Sequence, residues 1–138
     1  MKHLLIILTT ICALSFGTSH AQDFNPKKHN YLALSKNIQH LQPVILTASE
    51  LAQEDGKKYG KFFMLIYGKT VEDIPNNEEF ARLLEQAKAL NIEVFACEFA
   101  LKKFKVDLDQ LPSNLKTTKN AFLYGYQLQK EGFITLTL

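Results

Sequence analysis
The chain has 138 residues, 46% of them hydrophobic and 22% charged, with a formal net charge of +2. That length holds one domain, the apolar fraction excludes a disordered chain, and the near-balanced charge excludes a dedicated nucleic-acid binder. Two cysteines, Cys12 and Cys97, make neither a disulfide framework nor a four-ligand zinc site.

Residues 1–21 read as a secretory signal peptide: Lys2 and His3, an apolar run from Leu4 to Phe16, then small Ser19 and Ala21 before the expected cleavage. The run is short of the ~20 residues that span a bilayer, so no membrane span is expected after cleavage. The mature chain is then exported, to the periplasm or the extracellular space. It keeps one cysteine, Cys97, and two histidines, His29 and His40.

Residues 22–30, with Pro26, read as a flexible lead-in, and the domain is expected over 31–138. Tyr31 to Leu34 has strand character. Gln42 to Asp55 reads as a helix with Pro43 in its first turn, an apolar face of Val44, Ile45, Ala48, Leu51 and Ala52, and Gly56 as its stop. Lys61 to Tyr67 is a nearly continuous apolar run, which suits a strand buried on both faces, and Gly68 ends it. Lys69 to Asn76 is a loop. Asn77 caps a helix in which Phe80, Leu83, Leu84, Ala87 and Leu90 share a face, and Asn91 takes a left-handed stop. Ile92 to Ala96 is a strand, Glu98 to Phe104 a short helix, and Val106 to Asn114 a loop. Leu115 to Thr117 is a short strand. Thr118 caps a helix running to Glu131, Gly132 stops it, and Phe133 to Leu138 alternates as a last strand.

Strands alternating with helices predict an α/β fold with a mostly parallel sheet of about five strands and helices on both faces. In such sheets ligands bind beyond the carboxyl ends of the strands. Tyr67-Gly68-Lys69 and Cys97 meet that rule.

Cys97 therefore carries the site reading. An unpaired cysteine in an exported chain is buried, paired between chains, or reactive. A helix beginning at Glu98 puts the sulfur where unpaired N–H groups stabilise a thiolate, and Lys102, Lys103 and Lys105 add positive potential. Glu98 and the apolar wall of Phe99 work the other way. No cofactor is assigned, since GxGxxG, GxxxxGK[ST] and GxSxG are all absent. No metal is assigned either. His29 and His40 lack partners at ligand spacing and read as solvated, and Asp107 and Asp109 lack the glycine and glutamate of a calcium loop. Gly125 inside the last helix marks close packing.

From Ile92 onward the parts form an ordered set. They are an apolar strand, Cys97, a short helix, acidic Asp107 and Asp109, Leu111-Pro112, then Leu128-Gln129-Lys130-Glu131-Gly132 before Phe133. That set resembles the carboxyl half of the DsrE/DsrF-like family. Upstream, FFMLIYGKTV and FARLLEQAKALNI resemble the family's second strand and the helix before its cysteine strand. The resemblance covers residues 60–138, and 31–55 by element order. It implies a three-layer α/β/α sandwich and a homo-oligomer, a trimer or hexamer. It also implies, for Cys97 alone, a persulfide-carrying role in a sulfur relay with a donor or acceptor protein. Sulfur-relay members end the short helix in Arg-Gly, where this chain has Phe104-Lys105. The residues themselves leave open a non-enzymatic oligomer of the same fold that binds a small ligand or partner, with Cys97 structural, and a thiol that pairs between chains.

Overall fold
The computed structural model describes residues 24–138, so the signal-peptide reading of 1–21 lies outside the described residues. The strands are β1 (His29–Ser35), β2 (Tyr59–Ile66), β3 (Ile92–Cys97), β4 (Lys116–Thr118) and β5 (Ile134–Thr137). The helices are α1 (Leu41–Asp55), α2 (Glu78–Ala89), α3 (Glu98–Lys103) and α4 (Ala121–Lys130). All strand pairs are parallel, in the order β4-β3-β2-β1-β5. This is the α/β sandwich expected from the alternation of elements.

The strand order follows from where apolar side chains can be buried. Phe62 to Ile66 are all buried, which a central strand with both faces covered requires. The chain steps from β1 to β4 in one direction, with α1 packed on β2 and α2 on β3 and on α1. It then returns across the sheet to place β5 beside β1. A right-handed crossover made on the return must use the opposite face, and α4 lies there: Tyr124 stacks near Phe63 and Phe95, and Gly125 sits over Leu34 and Leu65.

Phe63 is the hub of the α4 side, with the rings of Phe24, Phe95, Tyr124 and Phe133 around it at 5.3–6.4 Å between centroids. Each such aromatic pair adds roughly 0.5–1.5 kcal/mol beyond area burial. Phe24 belongs to the segment read as flexible. The structure anchors its ring edge-on against Phe133 at 4.8 Å and begins β1 at His29.

Several boundaries differ from expectation. A 3-10 turn at Ile38–His40 precedes α1, and short 3-10 turns at Lys69–Asp73 and Leu108–Gln110 occupy the two expected loops. The cap of α4 is Asn120, not Thr118: its Oδ1 accepts from the N–H groups of Phe122 and Leu123. Thr118 is instead held in β4, opposite Cys97. Leu90 is solvent-facing, because it lies past the last turn of α2. Asn91 takes the expected left-handed conformation at φ 56°. Gly60 is fixed by its neighbours rather than by its dihedrals. A Cβ there would meet Asn30 Oδ1 at 2.3 Å, and that buried oxygen accepts from Lys61 N–H where the β1–β2 register shifts.

The histidines are not simply solvated. His29 Nδ1 lies 2.8 Å from Asp55 Oδ1, and Asp55 Oδ2 accepts the Tyr31 hydroxyl at 2.6 Å. His40 Nδ1 lies 2.8 Å from Ser35 Oγ, a fully buried hydroxyl that also ties the turn at Asn37. Among the described residues no three His, Cys, Asp or Glu side chains gather as a metal site, and no helix is long and apolar enough to cross a membrane.

Candidate functional site at the carboxyl edge of the sheet
Cys97 is the last residue of β3 and the cap position of α3, with extended backbone at φ −76°, ψ 116°. Side chains alternate along a strand, so Cys97 shares the α4 side of the sheet with Phe95. Its Sγ accepts the N–H of Ala121, the first residue of α4, at 3.5 Å. The sulfur thus meets the start of α4, 24 residues away along the chain, and makes no capping bond to α3, the helix it precedes. An orphan N–H at a helix start stabilises an anion. The loop before α4 is also tied to α3, through Phe99 N–H to the Lys119 carbonyl at 3.3 Å.

Glu98 has its Oε1 on the Thr117 hydroxyl at 2.9 Å and does not line the cleft. Phe99 is 60% exposed and lines the cleft. Cys97 itself is 4% exposed and free of any disulfide.

Cys97 opens on a cleft of about 340 Å³. Its walls come from the carboxyl ends of four strands. Lys36 follows β1, Tyr67 and Gly68 follow β2, Phe99 and Lys103 belong to α3 after β3, and Asn120 and Phe122 follow β4. That is where parallel sheets bind ligands. Lys36 Nζ rides 5.8 Å above the Tyr67 ring, Lys103 Nζ rides 5.6 Å above Phe104, and Phe122 meets Tyr67 edge-on at 5.0 Å. Tyr67, Gly68 and Cys97 were legible as site positions. Lys36 was not, although it obeys the same rule, as the first residue after the first strand.

Lys105, where the relay pattern has glycine, adopts φ 56°. That left-handed conformation suits glycine best.

A second cleft, of about 390 Å³, lies on the α1 side of β5 between Tyr31, Val44, Leu51, Phe62, Ile134 and Leu136. Among the described residues no Asp, Glu, Lys or Arg side chain lines it. His40 and Thr47 stand in its otherwise largely apolar wall, and Ser35, the partner of His40, is sealed in the core. It has the character of an uncovered apolar surface rather than of a reaction site.

Neither a family model nor a curated protein matches the sequence. Among solved structures the chain is similar to MTH1491, a protein of unknown function from Methanobacterium thermoautotrophicum, at 13% identity and a TM-score of 0.66, covering 80% of this chain and 99% of that one. It is also similar to BT1422, a conserved protein of unknown function from Bacteroides thetaiotaomicron, at 13% identity and a TM-score of 0.59, covering 78% and 94%. Identities this low establish the shared α/β fold and nothing of its chemistry.

Proposed function
We propose that the protein is an exported sulfur carrier of the DsrE/DsrF-like kind. Cys97 holds sulfane sulfur as a persulfide and passes it to a partner. The observation that supports this reading best is the Cys97 sulfur itself. It sits in the wall of a cleft at the carboxyl edge and accepts a backbone N–H from the start of α4. A persulfide is a stronger acid than a thiol, and the same N–H would stabilise its anion. The working unit is a homo-oligomer. In favour of that are Ile134 and Leu136, 55% and 63% exposed on an edge strand whose segment, Phe133 to Leu138, carries no charge or proline to guard it.

A second reading has its own observation. Cys97 is 4% exposed, as a small packed hydrophobe would be, and the protein would then be a non-enzymatic binding module of the same fold.

The test is alkylation of Cys97 against pH in the folded protein, with intact-mass analysis after exposure to a persulfide donor. The carrier reading expects alkylation without denaturant and one retained sulfur, both lost in Cys97→Ser while the circular dichroism stays unchanged. A thiol that reacts only after denaturation and gains no sulfur gives the binding module.

A further inference from the structure
The chemistry of the Cys97 cleft is one-sided. Among the described residues its only charged lining side chains are Lys36 and Lys103. Among the described residues neither ammonium enters an ion pair; each lies over an aromatic ring of the cleft region. The one carboxylate close by in sequence, Glu98, is engaged by Thr117. The rings of Tyr67, Phe99, Phe104 and Phe122 make up much of the remaining wall, beside Gly68, Ala100 and Asn120. An inorganic anion would satisfy the lysines and leave the aromatic wall unfilled. A cleft of about 340 Å³ is of the size that takes a small organic molecule.

We infer that the cleft takes its sulfur from a low-molecular-weight organic persulfide bearing carboxylates, which Lys36 and Lys103 hold while its outer sulfur faces Cys97. This rests on the carrier reading of Cys97 and adds the class of donor. The Cys97 thiolate attacks the outer sulfur of the donor, R–S–S–H. A bond forms between Sγ and that sulfur as the donor's S–S bond breaks. The donor leaves as the thiol, R–S–H, taking the proton, and Cys97 is left as the persulfide anion. Electrons are conserved, so no oxidant or reductant takes part.

The experiment compares two donors on the full mature chain. Glutathione persulfide carries two carboxylates, and mercaptoethanol persulfide carries none. The sulfur added to Cys97 is followed by intact mass against time. Loading by glutathione persulfide is expected to saturate with concentration. The Lys36→Gln/Lys103→Gln pair should slow it by about tenfold or more, since each substitution removes a charge-assisted contact to a donor carboxylate. Loading by the neutral donor, which has no carboxylate for the lysines to hold, should slow less in the same variant, and circular dichroism checks that the variant is folded. Equal loading by both donors, indifferent to the lysines, would overturn the assignment and leave the carrier intact. So would sulfur arriving on Cys97 only from a protein donor. Calorimetry with S-methylglutathione and Cys97→Ser separates the two readings. Binding that the lysine pair abolishes supports the anion site even where no sulfur is ever carried, and absence of binding counts against it.

Discussion
Asp55 joins two groups at the amino end of the sheet. It accepts the Tyr31 hydroxyl and faces His29, and these bonds hold its carboxyl below the usual carboxylate range, the Tyr31 bond foremost. Burial first, and Asp55 second, push the Tyr31 phenol from 10.0 up to about 12. The two shifts act on stability at opposite ends of the pH scale. A depressed carboxylate stabilises the fold above its unfolded value, about pH 4, and that contribution fades as pH falls through the folded value. A raised phenol stabilises the fold below pH 10, and its contribution is lost as pH climbs towards about 12. Urea midpoints against pH should therefore fall more gently in acid for Asp55→Asn than for the parent, and Tyr31→Phe should soften the alkaline decline, to which Tyr59 and Tyr124, also raised by burial, still contribute. Parallel acid limbs for parent and Asp55→Asn would remove Asp55 from the acid response.

The start of α4 shows how one cap serves both a helix and a site. Asn120 satisfies two orphan N–H groups with its Oδ1, which leaves the Ala121 N–H pointing at Cys97. Asn120→Ala should cost about 1 kcal/mol of stability, the usual worth of such a cap. It should also alter the Cys97 alkylation rate, because the frayed first turn no longer presents Ala121 to the sulfur. A loss of stability with an unchanged rate would mean that the helix start has no hold on the sulfur. Both Thr118 and Asn120 are capping types, and nothing local separates them. What decides is the pairing of Thr117 with Ala96 and of Thr118 with Cys97, contacts 21 residues apart. Local signals did suffice where one element carries its own reason: the buried run of β2, Asn77 accepting from Phe80 N–H, and Asn91 at φ 56°. The sulfur's partner and Lys36 were beyond reach, since they depend on which strand ends the sheet brings together; of the three lysines read beside Cys97, Lys103 lines the cleft and Lys102 and Lys105 do not. The alternation of β5 was read correctly as strand, but period alone does not say which face is covered, and Ile134, Leu136 and Leu138 lie on an open one.

At the scale of the molecule that open face is an apolar surface with no cover among the described residues. Leu136, at 63% exposed, borders the cleft between α1 and β5. If the working unit is a homo-oligomer closed across this edge, Leu136→Lys should reduce it to a monomer, with the melting profile of the single chain unaltered at dilution. Light scattering on the two proteins checks this, and a parent chain that is monomeric at micromolar concentration would remove the edge from the assembly.

The place of β5 also governs how the sheet can come into being. Tyr31 lies opposite Ile134, so one side of the first strand waits for a partner translated about a hundred residues later, a pairing of high contact order. Strands β1, β2 and β3 are neighbours in sequence and can pair as they emerge. The Phe63 cluster, however, lacks Tyr124 and Phe133 until α4 and β5 arrive. A nascent chain therefore keeps one strand edge unsatisfied through most of its synthesis and closes it last, the stage at which a holding chaperone has the most to protect.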